Sequence, residues 1–188
     1  MRYPSLMVEA IPRHLESRLI DVQAAPRDTG RLELIVRRPA EDEREVLTQA
    51  VLDPASGLVG DTWAIRGSRM TADGSANPAT QITLISVRVL RAVEPDPGRW
   101  PLAGDQLYVD LDLSSESLPA GSQLAIGSAV LEVSEQPHTG CAKFSARFGS
   151  DALRWINSPV GRAHRMRGLN ARVVVGGTIR TGDAIRCL

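Results

Sequence analysis

The chain has 188 residues, of which 43% are hydrophobic and 23% are charged. This composition is typical of a globular protein and excludes a disordered one, and the length suits one domain with a substantial core. The 22 basic and 22 acidic side chains give a formal net charge of zero, so the chain lacks the overall basic field that nonspecific nucleic-acid binding requires. We therefore expect a small-molecule substrate or cofactor as partner, and no nucleic acid.

Cysteine and histidine are scarce. The chain has two cysteines, Cys141 and Cys187, and three histidines, with no Cys-x-x-Cys spacing. Neither a disulfide framework nor a zinc site is predicted. Residues 1–5 do not lead into the apolar segment of a secretory signal, and no run approaches the ~18 apolar residues of a spanning helix. We therefore expect a cytoplasmic protein with free thiols and no membrane partner.

The first part of the chain is predicted to be mixed in structure. Residues 1–30 form an N-terminal extension, because three prolines interrupt it and leave room for a short helix over 12–22. A domain over residues 31–188 follows, and begins with a strand over 32–36. Residues 41–52 are rich in helix formers, and their apolar side chains at helical spacing predict a helix. A turn is predicted at 53–57.

The middle of the chain alternates between loops and strands. Residues 67–80 are rich in Gly, Ser, Asn, Asp and Thr, which predicts a long loop. A strand over 81–86 follows, and residues 87–92 either continue it or begin a short helix. After a turn at 95–98, short strands are predicted over 106–111, 123–126 and 129–133.

The last part combines a helical segment with further strands. The apolar residues between Phe144 and Met166 predict a small helical insertion, and strands are predicted over 171–175, at 179 and over 184–186. Gly-Asp pairs at 60–61, 104–105 and 182–183 are predicted to form turns, in which Gly adopts a left-handed conformation and Asp caps the backbone. Many short strands separated by glycine turns indicate a barrel or a folded sheet.

The segment with the clearest chemical signal surrounds Cys141. His138 and Gly140 precede the cysteine, and Lys143 follows it. A cysteine that attacks a substrate or binds a metal needs thiolate character, which a nearby positive charge provides. Gly140 allows another group to approach the main chain closely. The alternative is a buried, inert cysteine.

Two groups of cationic residues provide candidate donors for an anionic ligand. The first lies near Asn170 and consists of Arg162, His164, Arg165, Arg167 and Arg172. Its alternative is a solvated basic face. The second consists of Arg66 and Arg69, which precede a polar loop that we expect to lie over the mouth of the barrel, where ligands commonly bind. Its alternative is a surface loop with Trp63 in the core.

Six segments, taken in order along residues 31–188, resemble the MOSC domains, the family named after the C-terminal domain of molybdenum cofactor sulfurase. The resemblance rests on their order and on the cysteine after the strand at 129–133, since no single segment is specific. Gln106 departs from the family pattern, in which many relatives carry Asn. The segments are GLVGD at 57–61 with Trp63, QITLIS at 81–86, LAGDQL at 102–107, LPAG at 118–121 with LAIG at 124–127, LEV at 131–133 leading to Gln136, Pro137 and Cys141-Ala142-Lys143, and GGTIRTGD at 176–183.

The resemblance implies a mainly β fold, a strongly bent β barrel of the MOSC and pyruvate-kinase-barrel type with a few short helices. It also implies that Cys141 handles sulfur or ligates molybdenum. Amidoxime-reducing relatives hold molybdenum cofactor in this domain and reduce N-hydroxylated compounds. The sulfurases join it to a separate pyridoxal-phosphate domain, which we do not expect in a chain of this length. The resemblance therefore implies a stand-alone MOSC protein of bacterial type.

Three functions remain open at this point. The first is an enzyme that holds molybdenum cofactor and receives electrons from a reductase, and the second is a persulfide carrier supplied by a cysteine desulfurase. The third is a noncatalytic binding module. We predict Cys141, His138 and Lys143 as catalytic residues, with Cys141 also as the metal ligand. The predicted cofactor-binding residues are Gly140, Thr139, Arg165, Arg167, Asn170, Arg66 and Arg69.

Overall fold

The computed structural model describes residues 10–188, and most of its regular structure is β. Successive residues of a strand such as β8 are alternately buried and half-buried. One face of each short strand can therefore pack on a common core. The strands are β1 (Thr29–Arg37), β2 (Glu45–Leu47), β3 (Gln49–Asp53), β4 (Gly57–Leu58), β5 (Ile82–Ser86), β6 (Leu107–Asp110), β7 (Gln123–Ile126), β8 (Ala129–Val133), β9 (Leu169–Val175), β10 (Gly177–Arg180) and β11 (Ala184–Cys187).

Seven of these strands close into a barrel. The neighbours run β1, β11, β7, β8, β9, β5, β6 and back to β1, and the β5–β6 pair is parallel whereas the others are antiparallel. Strand β2 extends β1 on one side, and β10, β3 and β4 form a small second sheet. The predicted mainly β fold, a bent barrel with short helices, is confirmed.

Aliphatic side chains fill the barrel. Leu32, Leu84, Leu107 and Leu131, from four different strands, are completely buried in one cluster. Burying one such side chain contributes about 1.5–3 kcal/mol relative to leaving it exposed. The low aromatic content is therefore no obstacle to a stable core.

The helices lie outside the barrel. Because β5 and β6 are parallel, the chain must cross over between them, and it does so through α4 and the second of two 3-10 helices. This crossover delivers residues 103–105 to one end of the barrel. The helices are α1 (Arg13–Glu16), α2 (Leu19–Gln23), α3 (Trp63–Arg66), α4 (Val87–Val93), α5 (Ala142–Phe148), α6 (Ser150–Asn157) and α7 (Pro159–Ala163), with 3-10 helices at Pro78–Thr80 and Pro97–Ala103.

A second hydrophobic cluster joins the N-terminal helices to the helical insertion. Leu15 of α1 and Val22 of α2 pack in the same cluster as Phe144, Trp155 and Met166. The predicted helix over 12–22 is thus present as two short helices, and the predicted insertion as α5, α6 and α7. The division into an extension over 1–30 and a domain over 31–188 stays a prediction, and residues 1–9 lie outside the described part of the chain.

The predicted helix over 41–52 is wrong. The segment forms β2 and β3, and burial in β3 alternates, with Ala50 and Leu52 buried and Val51 exposed. Ala50 pairs with Ile179 of β10, and Val46 pairs with Val36 of β1. These long-range strand pairings outweigh the local helix propensity, which is a weak preference.

Local capping decides the open question at residues 87–92. The Ser86 hydroxyl accepts a hydrogen bond from the Arg88 N–H at 3.2 Å, which caps α4 at its N-terminus. The segment is therefore a helix and not a continuation of β5. No helix within residues 10–188 has both the length and the apolar character needed to cross a bilayer.

Candidate functional site

Cys141 lies at the end of a loop between β8 and α5, and its side chain is exposed. No hydrogen bond to its Sγ is found among the described residues. The alternative of a buried cysteine is therefore excluded. Cys187 differs, because it is half-buried in β11 and its Sγ lies 3.2 Å from the Arg27 carbonyl oxygen. Burial, together with the charge of Asp28, raises the pKa of Cys187 and disfavours its thiolate.

The loop over residues 134–141, which we call the cysteine loop, is fixed at both ends. Near its start, the Asn170 Nδ2 donates to the Gln136 carbonyl at 3.0 Å. Near its end, Asn157 of α6 makes two hydrogen bonds with the backbone of Gly140, at 3.1 and 3.2 Å. The position of Cys141 therefore depends on side chains from β9 and α6.

One side of the cysteine loop borders a cavity of about 590 Å³, which we call the polar cavity. This volume is in the range of small-molecule sites. His138, Thr139 and Gly140 line it from the cysteine loop, and the helical segment and the start of β9 supply the opposite side. Cationic residues on that side are Arg162, Arg165 and Arg167.

His138 is held beside a buried carboxylate. Its Nδ1 lies 3.5 Å from the Asp105 Oδ1, and the Asp105 side chain is fully buried. Burial and the positive charges of Arg167 and Arg38 together lower the pKa of His138 to about 4, against the opposing effect of Asp105. The imidazole is therefore neutral at neutral pH and is not the cation that the sequence suggested beside Cys141.

The positive charge of Arg167 is paired within the protein. Its Nη1 donates to the Asp105 Oδ2 at 2.7 Å, and its Nη2 donates to the Ala103 carbonyl at 3.1 Å. The guanidinium also lies over the Phe144 ring, at 5.2 Å from the centroid. Arg167 thus positions Asp105 and forms part of the cavity wall.

Arg165 has an unusual backbone. Its φ is 42°, in the left-handed region that costs a non-glycine residue about 1–2 kcal/mol. Its Nη1 donates to the Leu118 carbonyl at 2.5 Å, which leaves other N–H groups of this guanidinium for a ligand. Burial lowers the pKa of Arg165.

A second cavity has a volume of about 370 Å³. It borders the chain just after Cys141, and we call it the cationic cavity. Lys143, two residues after the cysteine, is part of its lining. The other lining residues that carry positive charge are Arg38, Arg44 and Arg66.

The charges in the cationic cavity are only partly balanced. Arg38 is buried and pairs with Asp61 through two contacts of 2.8 Å. The Arg44 Nε, in contrast, is enclosed and has no hydrogen-bond partner among the described residues. Burial and the neighbouring cations Arg147 and Arg38 lower the pKa of Arg44. Burial and Arg38 likewise lower the pKa of Arg66. An anion in this cavity would relieve that repulsion.

The family model that matches this chain is that of the MOSC domain, over residues 74–186. The chain belongs to the MOSC domain family. The match covers the cysteine loop, the two strands β7 and β8 that precede it, and the helical insertion. A comparison with curated proteins gave no match.

Solved structures show the same MOSC fold. YuaD from Bacillus subtilis is 18% identical and has a TM-score of 0.63, over 84% of this chain and 94% of YuaD. YiiM from Geobacillus stearothermophilus is 15% identical, with a TM-score of 0.56 over 85% and 75% of the two chains. YiiM from Escherichia coli is 17% identical, with a TM-score of 0.55 over 84% and 69%. At these identities the likeness concerns the fold.

The predicted site residues of this MOSC domain other than Cys141 fall into four groups. His138, Thr139, Gly140, Arg165 and Arg167 line the polar cavity, and Lys143 and Arg66 line the cationic cavity. Asn170 is buried and supports the cysteine loop. Arg69 is exposed and belongs to the lining of neither cavity. The ligand-binding role of each remains a prediction.

Sequence reasoning missed Arg38, Arg44, Asp105 and Asn157. The Gly-Asp pairs were interpreted as turns, and their glycines do have the left-handed φ values of 85°, 86° and 96° that such turns require. Two of the three aspartates, Asp61 and Asp105, also bind a buried arginine. The sequence does show two consecutive arginines, Arg37 and Arg38, at the end of β1. Nothing in the local sequence indicates that Arg38 pairs with the aspartate of a distant Gly-Asp turn.

Proposed function

We propose that this MOSC domain holds molybdenum cofactor, with Cys141 as its one protein ligand to the metal and the cationic cavity as the site of its phosphate. The observation that carries the proposal is the position of the thiol. Cys141 is exposed, follows Gly140 of the polar cavity and precedes Lys143 of the cationic cavity by two residues. Cys141 therefore lies in the chain between a residue that lines a cavity with room for a substrate and a residue that lines a cavity with room for an anion.

The chemistry of the donor groups fits this cofactor. A thiolate is a soft ligand that suits a metal already bound by sulfur. No group of three His, Cys, Asp or Glu side chains within residues 10–188 could hold a metal without further ligands. A cofactor that supplies its own sulfur ligands needs one thiolate from the protein, which Cys141 offers.

The cationic cavity fits a phosphate group. Guanidinium and ammonium groups bind phosphate through charge-assisted hydrogen bonds. The enclosed Arg44 Nε lacks an acceptor. The lining also contains two acidic residues, Glu41, which is exposed, and Asp42, which pairs with Arg147 at 3.4 Å. A phosphate would supply the missing acceptor and negative charge.

The activity that we propose is the reduction of an N-hydroxylated compound bound in the polar cavity. Bound molybdenum cofactor supplies the two-electron chemistry that this reduction needs, with a reductase as the source of electrons. The chain itself holds Cys141 in place through Asn157 and Gly140, and presents the neutral His138 to the cavity.

Metal analysis tests the proposal directly. The full chain is purified from a host that makes molybdenum cofactor, beside Cys141→Ala and the matched control Cys187→Ala. We expect molybdenum in the wild type and in Cys187→Ala, and its loss from Cys141→Ala. Absence of molybdenum from the wild type, or its retention in Cys141→Ala, contradicts the proposal.

The exposure of Cys141 also favours a second function, persulfide transfer. A donor persulfide on a cysteine desulfurase would pass its outer sulfur to the Cys141 thiolate, so that the donor leaves as a thiol and Cys141 becomes a persulfide. No metal and no external oxidant are needed. Alkylation and mass spectrometry after incubation with a loaded desulfurase would detect the added sulfur, and its absence contradicts this second function.

A further inference from the structure

His138 offers a hydrogen-bonding group that the proposed cofactor site does not use. Its Nδ1 and the Asp105 Oδ1 face each other at 3.5 Å, which is longer than a normal hydrogen bond, and neither enclosed atom has a hydrogen-bond partner among the described residues. The second carboxylate oxygen of Asp105 accepts from Arg167 at 2.7 Å. Asp105 is thus paired with a cation through one oxygen, and a carboxylate can only accept hydrogen bonds.

This arrangement selects one tautomer of the imidazole. Since Asp105 can only accept, the proton of the neutral ring belongs on Nδ1. The opposite nitrogen, Nε2, then carries a lone pair and accepts hydrogen bonds. His138 lines the polar cavity and its Nδ1 points to Asp105, so Nε2 is the nitrogen that faces the cavity. The charged groups that act on the ring are Asp105, Arg167 and Arg38.

The polar cavity also contains cationic donors that can accept an anion. Arg162 uses its Nε to donate to the Asn157 carbonyl at 2.9 Å, and Arg165 uses its Nη1 for the Leu118 carbonyl. A guanidinium has five N–H groups, so both side chains retain donors. The acidic side chain in this lining, Glu135, is exposed. The cavity therefore combines a neutral acceptor with donors of positive charge.

We propose that the polar cavity binds a small organic anion that also carries an O–H donor. The anionic group binds Arg162 and Arg165, and the O–H group donates to the Nε2 of His138. N-hydroxylated acids and hydroxy acids have both groups. This recognition does not need molybdenum, so it goes beyond the proposed cofactor role of Cys141.

Three matched compounds test this pattern of recognition. The probe 4-hydroxybenzoate has both groups, benzoate lacks the O–H donor, and phenol lacks the carboxylate. Dissociation constants are measured by calorimetry on the full-length Cys141→Ala protein, which separates this test from any failure of the cofactor proposal. We expect 4-hydroxybenzoate to bind at least about fivefold more tightly than either control, the effect of one net hydrogen bond.

Two variants then assign each half of the preference. In His138→Phe the ring shape is kept and the acceptor is lost, so the preference over benzoate should disappear. In Arg165→Met the preference over phenol should fall, while Arg172→Gln, outside this cavity, should change neither. Equal binding of the three compounds by the parent protein, or no detectable binding of 4-hydroxybenzoate at tens of millimolar, overturns the proposal.

A spectroscopic measurement keeps the proposal testable if a variant does not fold. The ¹⁵N chemical shifts of the His138 imidazole at neutral pH distinguish a protonated Nδ1 from a protonated Nε2. We expect the proton on Nδ1, with the Nε2 signal shifting when 4-hydroxybenzoate is added but not when benzoate is added. A proton on Nε2 in the free protein overturns the assignment of His138 as the acceptor.

Discussion

Asn157 holds the backbone of Gly140 on both sides. Its Oδ1 accepts from the Gly140 N–H at 3.1 Å, and its Nδ2 donates to the Gly140 carbonyl at 3.2 Å. The residue directly before Cys141 is therefore tied to the last turn of α6. Because α6 packs in the cluster of Trp155 and Phe144, the thiol is indirectly anchored to a hydrophobic core.

Replacing Asn157 tests this anchor. We expect Asn157→Ala to lower the free energy of unfolding by about 1–3 kcal/mol, because two backbone groups lose their partners. Molybdenum content should fall as well, since the ligand loop is released. Asn77→Ala is the control, because it removes one side-chain hydrogen bond to Ala79 elsewhere in the chain. Denaturant titration and metal analysis of both variants check this, and full metal content in Asn157→Ala would contradict it.

A methyl group at residue 140 should displace the loop. A Cβ on Gly140 would lie 2.7 Å from both the Ile156 Cδ1 and the Leu153 Cδ1. We expect Gly140→Ala to destabilise the protein by about 1–3 kcal/mol, a typical cost of overpacking. Combining it with Ile156→Val, which removes one of these carbons, should cost less than the sum of the two single changes. Strict additivity in denaturant titration would show that the clash is not the cause.

The buried pair of Arg38 and Asp61 predicts a large effect. Both side chains are nearly or fully buried, and Arg38 also donates to the Gly104 carbonyl at 3.1 Å. Asp61→Asn leaves the guanidinium without its counter-charge, so we expect a loss of about 3–5 kcal/mol. Glu132→Gln breaks the more exposed pair with Arg172 and should cost less than about 1 kcal/mol. Thermal or denaturant unfolding measures the loss of stability in each variant. Equal losses would show that the buried pair of Arg38 and Asp61 is no more important for stability than the exposed pair.

The low pKa of His138 predicts loss of stability in acid. In the folded protein its pKa is about 4, whereas the unfolded chain has the ordinary value of 6.5, so the unfolded state binds this proton first. The contribution is complete above pH 6.5 and falls as the pH decreases towards 4, by about 3 kcal/mol in total. His138→Phe should remove this part of the pH dependence, whereas His164→Phe should not. An unchanged pH profile of unfolding in His138→Phe would contradict the prediction.

Repulsion in the cationic cavity predicts an anion effect on stability. Burial, Arg38 and Arg44 lower the pKa of Arg66 against the opposing effect of Asp61, so removing its charge relieves desolvation and repulsion in the protein without ligand. We expect Arg66→Gln to leave the unfolding temperature unchanged or raise it in chloride, and to reduce the stabilisation that phosphate gives the wild type. Arg180→Gln is the control, because Arg180 is exposed and does not line this cavity. Equal stabilisation of Arg66→Gln and wild type by phosphate would argue against an anion site here.

Local patterns predicted most of the barrel but not the second sheet. Strands such as β8 and β9 carry β-branched and aliphatic residues between glycine turns, and these signals are local. Residues 41–52 were predicted as a helix because they are rich in helix formers and their apolar residues fit a helical spacing. Their strand structure is fixed by pairing with β1 and β10, which lie far away in sequence. A local pattern contains no information on such partners.

The same limit applies to the site. The cysteine and its neighbours His138 and Lys143 were identified from a single segment, but the charge state of His138 was not. The neutrality of His138 depends on burial and on Arg167, which lies two residues before β9 and far from His138 in sequence. Asn157 was missed because a lone Asn near the end of a helix is ordinary until the loop that it binds is known.

The seam of the barrel has a consequence for how the protein is made. Strand β11 closes the barrel by pairing with β1, with Thr29 opposite Arg186, so nearly the whole described chain must be synthesised before the seam can form. Until then β1 has an unpaired edge on that side, which is a site for mistaken association with other chains. Pairing between such distant segments is also slow. Loading of a cofactor is therefore expected only after β11 has been synthesised and has paired with β1.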